Sequence, residues 1–320
     1  MSEKQTRHQK KKKRTGLKVF LGIALVFIVA VGLYLANIYR NVNSTTKEIY
    51  EPIASEEVNP FRPGQVDLSR EEPISILLLG IDTGDLGRTE RGRSDSMIVA
   101  TINPNTEKTV LTSIPRDTYT EIVGYGTMDK LNHAYAFGGT SMAINSVQNL
   151  LDIPIDYYVS VNMAGIKEIV DAVGGIDVES PLTFTQDGYD YYQGEVTHMD
   201  GESALAFSRM RYQDPENDIG RQSRQRLVIE GVIKKAVSAS TLLNYQEILG
   251  TLSNNVQTNF QMKDYLALQG NRYMQAARNI ESQQIGGTGE IAEDGIYYHY
   301  IPEEELTRVQ SLLDQELEID

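Results

Sequence analysis

The sequence predicts an α/β fold: an α-β-α layered sandwich with a mixed central sheet, preceded by one transmembrane helix. Two observations predict the sandwich. Strand-like apolar runs alternate with segments of helical periodicity from residue 73 onward, which is the pattern of a layered α/β domain. The run Ile74–Ile81 (ISILLLGI) is continuously apolar, as expected of a strand covered on both faces. The helix before the domain is predicted from Val19–Ile38, which is almost wholly apolar and, at 1.5 Å per residue, matches a hydrocarbon core about 30 Å thick.

This reading divides the 320 residues into five parts. Residues 1–16 form a basic tail and 17–39 a signal-anchor. Residues 40–72 form an extracellular linker containing Pro52, Pro60 and Pro63, and 73–240 are the main domain. Residues 241–320 are a C-terminal extension packed on the domain or continuing it. Within residues 1–18, eight Lys/Arg stand against Glu3, a net of +7, while the whole chain is −14. Basic residues before an apolar span keep the N-terminus in the cytoplasm and place the domain outside the cell. The alternatives are a nucleic-acid-binding tail and a cleaved signal peptide. A signal peptide has a shorter apolar region, about 7–15 residues.

The elements of the domain follow in order. Ser96–Ile102 and Thr109–Ile114 read as strands joined by the turn Asn103–Thr106. Thr140–Leu151 carries apolar residues at helical spacing, and Asp156–Val161 is a further strand. Met163–Val173 is a helix stopped by Gly174-Gly175. Ile176–Glu179 is a short strand, Leu182–His198 a Tyr-rich hairpin insertion and Gly201–Phe207 a short helix. Arg221–Ser240 is a long helix, Leu242–Leu252 and Lys263–Arg278 are helical, Ile296–Ile301 is a late strand and Glu303–Leu317 a final helix.

Composition removes several chemistries. With no cysteine there is no disulfide, thiolate metal site or cysteine nucleophile. Past residue 18 the chain carries −21, which disfavours binding of nucleic acid by the domain. There is no phosphate-cradling G-x-x-x-x-G-K-[ST], no G-x-G-x-x-G after a strand and no H-E-x-x-H. The four histidines are scattered. Gly139–Ala143 approaches the serine nucleophile elbow, but Ser141 falls at the start of a predicted helix, so it is read as helix N-terminal chemistry.

What remains is a set of Asp and Arg residues at predicted strand ends. Asp82 closes the first strand, and Arg93 and Asp95 open the next. Two carboxylates at the mouth of neighbouring strands suit one Mg²⁺ or Mn²⁺, which takes one or two carboxylates plus substrate phosphates. Read more plainly, they are turn and cap residues. Arg116 and Asp117 follow the third strand, as site residues or as a surface ion pair. Between positions 209 and 226 there are five arginines and no lysine. The guanidinium fork matches phosphate oxygens two at a time. Arg209 and Arg211 share a face if they lie on a strand. Arg221 and Arg224 share a helix face, with Gln225 four residues from Arg221. Arg226 reads as a surface charge, and Asp214 and Asp218 as partners of the arginines or as residues that support the metal's ligands. A solvated helix end is the plainer account of this run. An Asp pair with several arginines outside a membrane points to a lipid-linked pyrophosphate. The apolar stripes of 140–151 and 221–240 either line a groove for an isoprenoid tail or form ordinary core.

The segments Leu79–Asp82, Arg93–Ser96, Ser113–Asp117, Lys130–Tyr135, Val173–Ile176, Ser208–Arg211 and Gly220–Gln225, in this order, resemble the LytR-CpsA-Psr family. The resemblance covers about residues 74–240. It implies a membrane-anchored phosphotransferase that moves an anionic wall polymer or glycan (teichoic acid, capsule or secondary polysaccharide) from undecaprenyl pyrophosphate to peptidoglycan. Carried onto this chain, Asp82 and Asp95 hold Mg²⁺. Arg116, Arg209, Arg211, Arg221 and Gln225 hold the pyrophosphate, and Arg93, Asp117 and Arg224 are weaker candidates. The implied partners are the lipid-linked donor, peptidoglycan and the cytoplasmic membrane, with no nucleic acid. Two other functions fit the chain: a regulator of envelope gene expression, and a non-catalytic accessory protein that binds lipid-linked glycan.

Overall fold

The structure, a computed structural model, describes residues 50–53, 61–62, 64–82, 91–236 and 255–319. The expected signal-anchor, most of the linker and the helix expected over Leu242–Leu252 lie outside these residues. Among the described residues no helix is long and apolar enough to cross a membrane.

The strands, in chain order, are β1 (Ile74–Ile81), β2 (Ser94–Asn103), β3 (Lys108–Ile114), β4 (Tyr119–Ile122), β5 (Thr127–Lys130), β6 (Tyr157–Asn162), β7 (Ile176–Glu179), β8 (Phe184–Gln186), β9 (Tyr189–Tyr191), β10 (Val196–Met199), β11 (Val256–Thr258), β12 (Ile280–Gln284), β13 (Thr288–Ile291) and β14 (Tyr297–Tyr300). The helices are α1 (Asn132–Leu151), α2 (Met163–Ala172), α3 (Gly201–Arg209), α4 (Asp218–Ala236), α5 (Met262–Leu268), α6 (Asn271–Ala276) and α7 (Glu303–Leu317).

The central sheet has six strands in the order β11-β6-β1-β2-β3-β12. β2 is antiparallel to both β1 and β3, β6 is parallel to β1 and β12 is parallel to β3. The C-terminal ends of β1, β3, β6 and β12 therefore share one sheet edge with the N-terminal end of β2. That edge carries Asp82, Asp95, Arg116 and Asp117.

Both faces are covered, as the apolar run of β1 requires. Leu77, Leu79, Met97 and Val99 point to a core shared with α1 and α7. Ile76, Ile98, Ala100 and Leu111 point the other way, to a second core that includes Ile229 and Ile233 of α4 and Tyr273 of α6. A third core joins α2, β7, the β8–β9 hairpin, α3 and α4 around Tyr191 and Phe207. The apolar stripes of α1 and α4 thus pack on opposite faces of the sheet. Their described apolar residues pack in these cores, which is the plainer of the two readings of the stripes.

Several elements depart from expectation. The helix expected from Thr140 begins at Asn132 and is interrupted at Gly139, whose φ of 68° and ψ of −155° only glycine adopts easily. The helix expected over Lys263–Arg278 is two short helices, α5 and α6, separated at Gln269-Gly270. β11 and β12 were not expected at all. They form the two sheet edges, so residues beyond 241 complete the sheet.

Gly175 follows α2 with φ +82°, and a Cβ there would lie 2.6 Å from His198 Nε2 and 2.9 Å from the Met199 carbonyl. Gly175→Ala therefore combines left-handed strain with a clash against β10. We expect a loss of about 1–3 kcal/mol in thermal or denaturant unfolding. An unchanged melting curve contradicts this packing.

Candidate active site

The site is built at the sheet edge defined above. Antiparallel pairing sets Gly80 opposite Ser96 and Ile81 opposite Ser94, with an irregularity between Gly80 and Ile81. The ladder continues one step further, as the Asp82 amide donates to the Arg93 carbonyl at 3.0 Å. Asp82 and Asp95 therefore stand at one end of one strand pair, as the sequence predicts. Arg93 lies between them in the chain and is exposed.

β3 ends at Ile114, and Pro115 starts a turn that is closed by the Thr118 amide on the Pro115 carbonyl at 3.0 Å. This turn presents Arg116, whose Nη1 donates to Asp95 Oδ1 at 2.6 Å. Arg116 Nε lies 3.4 Å from Asp218 Oδ2 and 3.6 Å from Asp117 Oδ2. Asp117 in turn pairs with Lys130 of β5 at 3.0 Å.

Asp218 is the first residue of α4, where a carboxylate is favoured by the helix dipole. Arg221 sits one turn on and its Nη2 is 2.8 Å from Asp218 Oδ1; Arg211 Nε is 3.9 Å from the same oxygen. Gln222 Nε2 donates to Asp218 Oδ2 at 3.0 Å. One carboxylate thus gathers Arg116, Arg211 and Arg221, and through Arg116 it reaches Asp95. Of the two roles the sequence offers Asp218, partner of the arginines or support for the metal's ligands, the structure shows the first; its central place follows from the meeting of β3 and α4.

The charges act on one another. Burial pulls the Arg116 guanidinium down, but Asp218 and Asp95 outweigh it and hold Arg116 above its ordinary value. Burial pushes Arg221 below its ordinary value; Asp218 opposes this, and the positive charge of Arg116 adds to it. Among the described residues, the buried Nε of Arg116 and the Nε and Nη2 of Arg221 lack an aligned hydrogen-bond acceptor, although Asp218 lies within ion-pair distance. Buried donors with positive charge and no aligned acceptor fit an oxyanion ligand. Gln225 Oε1 is also buried without a hydrogen-bond partner, one turn along α4 from Arg221.

The remaining arginines are placed differently. Arg209 is the last residue of α3 and Arg211 follows it in a loop. The two are not strand neighbours, so their shared-face argument does not hold. Arg224 is fully buried. Its guanidinium bonds to Asp214 and the Met210 carbonyl, its Nε donates to the Phe207 carbonyl at 3.2 Å, and it lies over the Phe184 ring. Arg224 holds the loop between α3 and α4 from inside and is removed from the ligand-facing set. Arg226, expected on the surface, is partly buried and donates to Ser113 Oγ at 3.1 Å and the Gln283 carbonyl at 3.3 Å, tying α4 to β3 and β12.

For a metal, no group of three or more His, Asp or Glu ligands is present among the described residues. Asp82 and Asp95 offer two carboxylates at one edge. That donor set fits Mg²⁺ completed by water and substrate phosphates and does not fit a closed all-protein site.

Residues 36–315 match the family model described as the LytR_cpsA_psr family. A relative from Enterococcus faecalis (strain ATCC 700802 / V583), named polyisoprenyl-teichoic acid–peptidoglycan teichoic acid transferase TagU, is 50% identical over 94% of this chain and 98% of its own. A solved structure of TagU from B. subtilis is 40% identical, with a TM-score of 0.63 over 78% of this chain and 98% of that one. A structure described as TagT bound to LIIa-WTA is 29% identical, with a TM-score of 0.70 over 84% of this chain and all of that one. With its mixed sheet, its edge of carboxylates and arginines, and these matches, the chain belongs to the LytR-CpsA-Psr family.

Proposed function

We propose that this protein transfers a wall polymer, teichoic acid foremost, from a polyisoprenyl (undecaprenyl) pyrophosphate carrier to peptidoglycan. The observation that carries this reading is the Asp218-centred set of Arg116, Arg211 and Arg221, with buried donors that lack aligned acceptors. The relatives' names supply the donor and acceptor classes. The apolar run at 19–38 and the basic tail before it support a cell-membrane anchor with the N-terminus in the cytoplasm and the domain outside.

In this mechanism a peptidoglycan hydroxyl attacks the phosphorus bearing the polymer sugar. A new oxygen–phosphorus bond forms, the bridging oxygen leaves with the lipid as polyisoprenyl phosphate, and the hydroxyl proton passes to that departing phosphate or to water. Such transfers depend mainly on positioning and on stabilising charge on the phosphoryl oxygens. Arg116 and Arg221 turn their buried donors to those oxygens. Arg211, less buried, adds charge from the loop after α3, and Arg209 and Gln225 are assigned to the same pyrophosphate. Bound anion relieves the repulsion between Arg116 and Arg221 that the apo site carries. Asp82 and Asp95 would hold Mg²⁺ or Mn²⁺, which when bound supplies charge neutralisation to the diphosphate. Asp218 and Asp117 keep the guanidinium groups aimed while no substrate is present.

Purified full-length protein with a synthetic lipid-linked donor and peptidoglycan tests the reading. Arg221→Ala or Arg209→Ala is expected to lower transfer by about 10²-fold or more while leaving the melting temperature near that of the wild type. Full activity in either folded variant refutes the assignment. Arg224→Ala separates structure from chemistry. Removing the partner of buried Asp214 is expected to destabilise the fold by about 3–5 kcal/mol, readable in denaturant unfolding. A melting curve like the wild type's contradicts its interior role. Chelation of divalent metal is expected to stop transfer, with recovery on adding Mg²⁺ or Mn²⁺. Undiminished transfer in chelator contradicts the Asp82–Asp95 assignment.

A further inference from the structure

An aromatic surface continues from the site along the chain that leaves β3. The His299 amide donates to the Asp117 carbonyl at 2.9 Å, and Thr118 forms a parallel bridge with His299. This docks the β13–β14 hairpin beside the start of β4 and brings Tyr119, Tyr298 and Tyr300 together. The ring centroids of Tyr119 and Tyr298 are 5.0 Å apart, edge to face, and those of Tyr119 and Tyr300 are 5.4 Å apart. Tyr298 is buried and its hydroxyl bonds to Asp294, so it acts as a prop; Tyr119 is 37% exposed.

Lys130 links this cluster to the reaction centre. It is the register partner of Tyr119 across β4–β5, its Nζ lies 5.8 Å from the Tyr298 ring centroid, and it pairs with Asp117 at 3.0 Å. Asp117 is 3.6 Å from Arg116. A continuous series of contacts thus runs from this aromatic cluster to the Arg116 guanidinium. The exposed ring of Tyr119 and the partly exposed ring of Tyr300 offer flat apolar faces with polar rims, which suit the apolar faces and hydroxyl edges of sugar rings. The surrounding charge selects between the two glycans in the reaction. Asp294 accepts from the Tyr298 hydroxyl at 3.3 Å, Glu290 is the register partner of Tyr298 across β13–β14, and Asp129 is that of Thr120 across β4–β5. These carboxylates outnumber Lys130, which is itself paired with Asp117, so the surround repels a polyanionic donor chain and tolerates uncharged sugars.

We propose that Tyr119 and Tyr300, propped by Tyr298, form the acceptor subsite, which stacks uncharged sugar rings of the peptidoglycan glycan strand. It rests on the transferase reading given above. The subsite guides the acceptor hydroxyl toward Arg116 past Lys130.

The test uses full-length protein in detergent micelles and peptidoglycan stripped of wall polymer. Two readouts are taken: steady-state transfer with each substrate varied, and co-sedimentation of the protein with the stripped peptidoglycan. For Tyr119→Ala/Tyr300→Ala, the KM for peptidoglycan is expected to rise about tenfold, near 1.4 kcal/mol of lost binding, with the KM for donor and kcat unchanged. Tyr119→Phe/Tyr300→Phe keeps the rings and is expected to restore most of the acceptor affinity. An unchanged acceptor KM, or a rise in the donor KM instead, overturns the proposal. If the wild type binds stripped peptidoglycan and transfers nothing, the transferase reading fails alone; weaker co-sedimentation of the alanine variant then still supports the subsite. Equal co-sedimentation of the two proteins overturns it.

Discussion

Asp218 is the contact on which the site depends. Its carboxylate stands at the N-terminus of α4 and lies within ion-pair distance of Arg116, Arg211 and Arg221. These arginines come from three separate places: the turn after β3, the loop after α3, and α4 itself. Three guanidinium groups converging without a carboxylate would repel one another in a partly buried setting. With Asp218 present they hold together and keep donors in reserve. Under the proposed function, Asp218 supplies part of the clamp's anion until a diphosphate takes its place.

The sheet makes this convergence possible. Reversal of β2 between β1 and β3 brings the end of β1, the start of β2 and the end of β3 to one edge. Asp82, Asp95 and Arg116 need no long loops to meet, since each lies within two residues of a strand terminus. α4 is fastened below by Arg226 to β3 and β12, and its entry loop is fixed by buried Arg224 on Asp214. The functional residues are therefore carried by a frame with its own independent supports. Arg221 and Arg224, three residues apart, are therefore expected to have separable consequences when replaced.

The legible parts of the fold were those with strong pattern. β1, β2 and β3 show as apolar runs because both sheet faces are covered. α2 shows through its periodicity and the Gly174-Gly175 stop. β11 (VQT) and β12 (IESQQ) carry no such mark. They are short, polar edge strands, and only docking against β6 and β3 makes them strands. In the site, Asp82, Asp95 and Arg116 were legible because they close or open clear strands. Arg209 and Arg211 would share a face only on a strand, and that condition is not met because α3 runs on through Arg209. The depth of Arg224 was not legible either. Residues three apart on a helix differ by about 60° in direction, enough to send one guanidinium to the site and the other into the core.

The central claim is that Arg116, Arg211 and Arg221 grip a lipid pyrophosphate beside a metal held by Asp82 and Asp95. The most direct measurement is a crystal structure of the protein with a short-chain isoprenyl pyrophosphate and Mn²⁺, using anomalous scattering to locate the metal. The account predicts diphosphate oxygens bonded to the Arg116 and Arg221 donors that now lack aligned acceptors, with the metal between Asp82, Asp95 and the diphosphate. A diphosphate bound elsewhere, with the Asp218 contacts unchanged and no metal at Asp82 and Asp95, would contradict it.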